Sequence, residues 1–312
     1  MTDLNKVCFL NSNDGSSVLA FGEGVSMRLE SDHDLEGINT FIHEHAGNYL
    51  FTCLSYDLKN EIETLTSQNT DEIGFPNALL WRPDLVFKIN GKHKECVQGQ
   101  PTKNDIDFLE SFINDTSTEH DVKESFDFQA RTPKSSYLNH VNKLKKHIQR
   151  GDIYEVNYCQ EYISYNTDLK SVKNIYFNLN KVTKTPFSSF FQFDEFTIFC
   201  CSPERFLRKN KQELLAQPIK GTSKRGASLE EDKILMKNLK SDPKERAENI
   251  MIVDLMRNDL SKIAQKNSVH VNELCGVYSF ETVHQMISTV SCVLKKKHLL
   301  CGCFKSDIPH GL

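Results

Sequence analysis

Residues 187–221, FSSFFQFDEFTIFCCSPERFLRKNKQELLAQPIKG, set runs rich in aromatic and β-branched residues around two turns, Asp194-Glu195 and Lys209-Asn210-Lys211. Such side chains suit a pleated, half-buried surface, and turns this short connect antiparallel neighbours, so the stretch predicts consecutive antiparallel strands. Lys220 closes the run at a strand end, between Pro218-Ile219 and Gly221-Thr222. Three roles are open to it: nucleophile, phosphate ligand, or solvated charge on a turn. The phosphate-loop role fails on spacing, because no glycine stands at the required distance before the lysine. Partial burial at a strand end would lower the pKa of the ammonium toward the range where free amine exists, and a plain surface lysine is the alternative.

Outward from this stretch the period changes. From Ser228, SLEEDKILMKNLKSDPKERAENIMIVDLMRNDLSKIA shows helical spacing interrupted at Asp242-Pro243. Asp242 suits an N-cap, Pro243 the first helical position and Glu245 the third, which predicts two helices, the second opened by a capping box. Upstream, Tyr137, Val141, Leu144 and Ile148 recur at helical spacing behind Ser135-Ser136, and Gly151 stops them, which predicts a capped amphipathic helix. Residues 1 to about 100 mix short strand-like runs with polar turns. The acidic, Ser/Thr-rich stretch from Pro101 to Pro133 reads as an exposed connection. The expected organisation is α+β, with an N-terminal α+β part and acidic linker over 1–130 and a catalytic region over 131–312.

The 312 residues are 38% hydrophobic, enough for a substantial core, and a formal net charge of -4 gives no global attraction to nucleic acid or an anionic membrane. The basic runs Lys143–Lys146 and Lys295–Lys297 read as solvated faces. Ten cysteines are scattered, without a CxxC pair, so zinc-ribbon and thioredoxin-like chemistry lack support. With neither a signal-like start nor a long apolar window, the expectation is a cytoplasmic protein with mostly free thiols.

Seven further positions could carry chemistry. Glu245 and Glu248 lie three apart on one helix and can converge on a hard divalent cation, although Glu245 also suits capping and Glu248 also suits solvent. Asp254, Arg257, Asn258 and Asp259 stand among apolar residues, which predicts polar groups near the core that need partners, an internal Arg257 to acid network being the simplest arrangement. His284, flanked by Val283 and Met286, reads from pattern alone as a hydrogen-bonded core histidine, with a chemical role as the alternative.

Taken together, GDIYEVNYCQ (151–160), SPERFL (202–207), QPIKGT (217–222), ERAENIMIVDLMRNDL (245–260) and TVHQMISTV (282–290) resemble the chorismate-utilising enzymes in order and separation. The resemblance runs from Tyr137 to about Lys305. Anthranilate synthase large subunits and isochorismate-type enzymes carry alanine at the PIKGT lysine position, whereas the aminodeoxychorismate synthase component I branch carries lysine. The resemblance implies two orthogonally packed antiparallel sheets with outer helices. It also implies that Lys220 adds to C2 of chorismate as the C4 hydroxyl departs, after which ammonia enters at C4 and expels the lysine. Glu204 matches the general acid and base, His284 a substrate-side histidine with a catalytic part, and Gly221 and Thr222 positions that touch the substrate. Glu248, with Glu245 close by, matches the ligands of a magnesium ion that clamps the ring carboxylate. A glutamine amidotransferase partner is implied as the ammonia source, for 4-aminobenzoate and folate synthesis. FKSDIPHGL at the carboxyl end starts like the family's F-K-x-x-F-P-x-G-S and stops, which implies that the last portion of the fold is missing. Two rival readings follow: an anthranilate synthase component I, or a non-catalytic truncated remnant that keeps only partner binding.

Overall fold

The computed structural model describes residues 5–30, 35–114, 126–165, 167, 169 and 171–295. FKSDIPHGL lies outside them. In chain order the elements are β1 (Lys6–Asn11), β2 (Ser16–Phe21), β3 (Val25–Leu29), α1 (Leu35–Glu44), β4 (Phe51–Leu54), α2 (Lys59–Ile62), β5 (Ala78–Arg82), β6 (Leu85–Asn90) and β7 (His93–Gln98). They continue with α3 (Lys103–Asn114), β8 (Gln129–Ala130), α4 (Lys134–Arg150), β9 (Tyr162–Ile163), α5 (Val172–Thr183), β10 (Phe187–Phe193), β11 (Phe196–Ser202) and β12 (Arg205–Asn210). The last are β13 (Glu213–Gln217), β14 (Ile219–Lys224), α6 (Leu229–Ser241), α7 (Pro243–Ile263), β15 (His270–Ser279) and β16 (Val283–Val293). Two compact units result, one of residues up to Ile113 and from Ile175 onward, the other of Asn114–Asn174.

The fold is α+β and, among the described residues, every strand pairing is antiparallel. The run at 187–221 forms β10 to the start of β14, with Asp194 (φ 49°) and Lys211 (φ 55°) left-handed in the two expected turns. Among the described residues the strands divide among four sheets. The largest has the order β11-β10-β1-β2-β6-β7, so strands from before and after residue 130 share one sheet and the expected division at 130 does not separate them. On one face of that sheet Cys8, Ala20, Val86, Phe191 and Phe193 pack on Leu79 and Trp81 of β5, in the small sheet β3-β5-β4. Trp81 is fully buried and its indole N–H donates to the Glu23 carbonyl at 3.0 Å, so its one polar group is satisfied. On the other face Phe9 and Phe190 meet Tyr176 of α5 and Phe112 of α3 at ring separations of 5.5–6.2 Å.

That helix corrects the reading of 101–133 as a connection. Its acidic composition suggested solvent, but Leu109 and Phe112 recur at helical spacing and are buried, and Thr102 and Asp105 cap one another (Thr102 N to Asp105 Oδ2 2.7 Å, Asp105 N to Thr102 Oγ 3.4 Å). In the second unit, α4 ends as expected on left-handed Gly151 (φ 79°), but its N-cap is Pro133 without a side-chain cap, so Ser135 and Ser136 lie inside the first turn.

The sheet that carries the candidate site has the order β12-β13-β16-β14, with β15 also on β16. Pro218 interrupts what is otherwise one long strand, giving β13 and β14 in succession along β16. Behind this sheet Ile252, Val253, Met256, Leu260 and Ile263 of α7 bury against Leu214, Ala216, Val290 and Cys292. Helix α6 adds Leu239 against Cys275 and Met286. Ser228 caps α6 through the Glu231 N–H at 3.2 Å, and Asp242 caps α7 through the N–H groups of Lys244 and Glu245 at 2.9 and 3.0 Å. The predicted capping box is only half formed. Asp242 N–H already donates to the Leu239 carbonyl at the end of α6, which frees the Glu245 carboxylate to turn elsewhere.

Candidate active site

The break at Pro218 sets the site. Glu204, just before β12, turns its Oε1 to accept the Ile219 N–H at 2.9 Å, filling the gap where the strand is interrupted. Between Ile219 (opposite Ile287) and Thr222 (opposite Gln285), β14 carries one residue more than β16. This is a β-bulge, a device that takes residues out of the ladder and re-aims a side chain. The residues taken out are Lys220 and Gly221, so Lys220 lies one residue inside the strand start rather than at its end.

Gly221 has φ +96°, and a Cβ built there would meet Glu245 Cβ, Glu245 Oε2 and Met286 Cβ, each at 3.2 Å. The glycine thus supplies both the left-handed backbone and the room for Glu245 to lie over the bulge. Burial raises the pKa of the Glu204 carboxyl, and the Ile219 N–H and the nearby Lys220 charge offset part of that rise. A half-buried acid just before β12 and a half-buried lysine in β14 therefore sit within electrostatic reach of one another.

Glu245 and Glu248 converge on one cation: the Lys244 ammonium lies 3.3 Å from Glu245 Oε1 and 3.2 Å from Glu248 Oε1. Among the described residues no group of three or more His, Cys, Asp or Glu side chains could hold a metal. The protein offers a pair of hard oxygen donors at one place, the kind of partial set that Mg2+ completes with water and substrate oxygens.

His284 stands apart from these groups. It is fully buried, with Nε2 2.9 Å from Asp232 Oδ1 and Nδ1 2.8 Å from Ser279 Oγ. Arg225 holds Asp232 through paired contacts of 2.8 Å and the Gly226 N–H adds a third at 2.8 Å. Arg225 and then that N–H keep the Asp232 carboxyl well below its ordinary range, against the effect of burial, with His284 adding a smaller pull. An ionised carboxylate only accepts, so His284 Nε2 carries a proton. The imidazole ties β16 to α6 behind the sheet and is a hydrogen-bonded core histidine. Thr222 is exposed beside the bulge, and the Oε1 of Gln285, opposite it, is buried without a hydrogen-bond partner.

The polar cluster later in α7 is corrected in part. Asp254 and Arg257 form an exposed i,i+3 ion pair at 2.8 Å, and only Asp259 is buried, bonded to Lys262 at 3.1 Å. The residue that sequence reading passed over is Asn249, 1% exposed, which reaches both the bulge and β16. Its signal was available: it falls on the stripe of Ile252, Val253, Met256 and Leu260, where a polar residue requires partners.

An antiparallel fold with an acid and a lysine at a strand bulge defines an enzyme-like site, and the sequence places it in a known group. Residues 7–311 match the family model described as chorismate binding enzyme, and the chain belongs to that family. It is 37% identical over 258 residues to aminodeoxychorismate synthase component 1 of Klebsiella aerogenes, covering 82% of this chain and 56% of that protein. It is 32% identical over 247 residues to anthranilate synthase component 1 of Saccharomyces cerevisiae, covering 77% of this chain and 48% of that one. The chain thus spans about half the length of these relatives. In fold it matches the crystal structure of anthranilate synthase component I from Streptococcus pneumoniae TIGR4, with a TM-score of 0.77 at 20% identity over 95% of this chain and 73% of that one. Among the described residues no helix is long and apolar enough to cross a membrane.

Proposed function

We propose that the chain aminates chorismate at C4 as an aminodeoxychorismate synthase component I, using Lys220 as a covalent nucleophile. The observation that carries this reading is the pairing of Lys220, at a bulge, with Glu204, whose carboxyl burial holds in the protonated form to higher pH than usual. The Lys220 amine forms a bond to C2 while both ring double bonds shift, C1=C2 and C5=C6 becoming C1=C6 and C4=C5, and the C4–O bond breaks. The Glu204 carboxylic acid gives its proton to the departing hydroxyl, which leaves as water. Ammonia then bonds to C4, both double bonds shift back, and the C2–N bond breaks to return Lys220 as the amine. The Glu204 carboxylate takes the proton that the incoming nitrogen sheds, so the acid is regenerated.

Glu245 and Glu248 would hold a magnesium ion, and their convergence on the Lys244 ammonium supports that fit. The ion would supply charge to orient the substrate carboxylate. A glutamine amidotransferase would deliver the ammonia.

The test supplies the full chain with chorismate, ammonium and magnesium and separates products by chromatography with mass detection. The expected product is 4-amino-4-deoxychorismate, abolished in Lys220→Ala and retained in Lys224→Ala. Anthranilate from the parent chain, no aminated product at all, or unchanged product and rate in Lys220→Ala would overturn the reading.

A further inference from the structure

The Lys220 bulge has a partner on the far side of β16. Between Glu273 (opposite Thr289) and Gly276 (opposite Ile287), β15 also carries an extra residue, and Cys275 there is left-handed with φ 57°. The central strand is therefore flanked by two bulges, around Met286 on one side and Ser288 on the other. A bulge breaks the local ladder, and the main-chain groups it displaces still need partners once buried.

Asn249 of α7 reaches both. Its Nδ2 donates to the Lys220 carbonyl at 3.2 Å and to the Met286 carbonyl at 3.1 Å, and its Oδ1 accepts from the Ser288 hydroxyl. The Ser288 oxygen in turn accepts the Cys275 N–H at 2.9 Å, and the Cys275 thiol points at Asn249 Oδ1 from 3.7 Å. All these contacts are satisfied by one orientation of the carboxamide. Turned over, it would set an oxygen against two carbonyl oxygens and an amide against a hydroxyl that already has its own donor to place. The side chain is locked at both ends, and the Lys220 carbonyl is held to a rigid helix instead of to the strand ladder it has left.

We propose that Asn249 is the positioning residue of Lys220: its carboxamide, oriented by Ser288, fixes the bulge and so sets where the lysine amine stands relative to Glu204. The catalytic consequence rests on the reading of Lys220 as nucleophile, but the positioning does not, and the two are tested apart. A merely structural Asn249 would support the packing of α7 and leave Lys220 no different from the other lysines on the sheet.

Competitive acetylation with isotopically labelled acetic anhydride at fixed pH, read by peptide mass spectrometry, measures each lysine in the full chain without turnover. In Asn249→Ala the rate at Lys220, relative to Lys224 on the same strand, is expected to change by about threefold or more, because small displacements of a positioned group carry large changes in reactivity. Ser288→Ala, which keeps both carbonyl contacts but loses the orienting hydroxyl, should move the ratio the same way by less. Lys244 and Lys262, at the two ends of α7, should keep their ratio to Lys224. A Lys220 to Lys224 ratio unchanged in Asn249→Ala overturns the proposal, as does a uniform rise at every lysine, which would report loosening alone. Should Asn249→Ala fail to fold, an unchanged ratio in Ser288→Ala overturns it equally. A shifted ratio together with unaltered product in Lys220→Ala would leave the positioning standing and remove the nucleophile.

Discussion

Replacing Gly221 by alanine separates two costs that the bulge combines. The first is backbone strain: an L-residue held at φ +96° costs about 1–3 kcal/mol. The second is crowding, because the added methyl lies 3.2 Å from Glu245 Cβ and Met286 Cβ, atoms fixed to their own backbones, as well as from the movable tip Glu245 Oε2. Overpacking of that kind adds about 1–3 kcal/mol. Gly15 is the natural control. Its φ is +95°, and a Cβ there meets nothing within 4 Å, so Gly15→Ala carries the strain without the crowding. The gain from stiffening the unfolded chain is common to both substitutions and cancels in their difference. Gly221→Ala should therefore lose about 1–3 kcal/mol more than Gly15→Ala, or about 2–5 °C in Tm at the unfolding entropy usual for this size. Urea unfolding of both variants against the parent, followed by circular dichroism, measures the difference. Equal losses would refute the idea that Glu245 and Met286 close over the bulge.

Three other substitutions probe the same sheet. Glu204 has a folded pKa raised above the ordinary 4.5, so its contribution to stability is complete below that value and is lost as pH rises through the raised one; Glu204→Gln should match the parent in acid and exceed it at neutral pH in parallel urea titrations. Asp242→Ala removes the acceptor for two N–H groups at the start of α7 and should cost about 1 kcal/mol, measured by the same unfolding assay. Glu248→Gln should weaken magnesium-dependent chorismate binding by about tenfold or more in titration calorimetry, and identical isotherms with and without the metal in the parent would remove the role assigned to this carboxylate.

The strands from Phe187 to Gly221 and the two helices after Ser228 were legible because their signals are local: turn residues, a change of period, and Asp-Pro at a helix start. What was not legible depended on pairing at long range. The union of β1 with β10 in one sheet has no local signature, since either strand reads the same with any partner. Helix α3 was missed for a different reason: its acidic surface residues dominate the composition of 101–133, while the stripe that holds it on the sheet is carried by few residues, with Leu109 and Phe112 buried.

The site shows the same divide. Family-like motifs named Lys220, Glu204 and His284 together, but a strand of period two sends alternate side chains to opposite faces. On β16, Met286 packs toward Leu239 of α6, Ser288 bonds Asn249, and Val290 and Cys292 pack on α7, so this set faces the helices. His284 shares their parity and bonds Asp232 of α6, which places it behind the sheet with the supports. The bulge breaks the same alternation in β14, and a one-residue insertion of that kind is invisible to any periodicity read along the chain. Lys220 can be singled out by its neighbours Pro218 and Gly221, but where its amine stands depends on an asparagine in α7 and a serine in β16, residues whose relevance exists only once the sheet has formed.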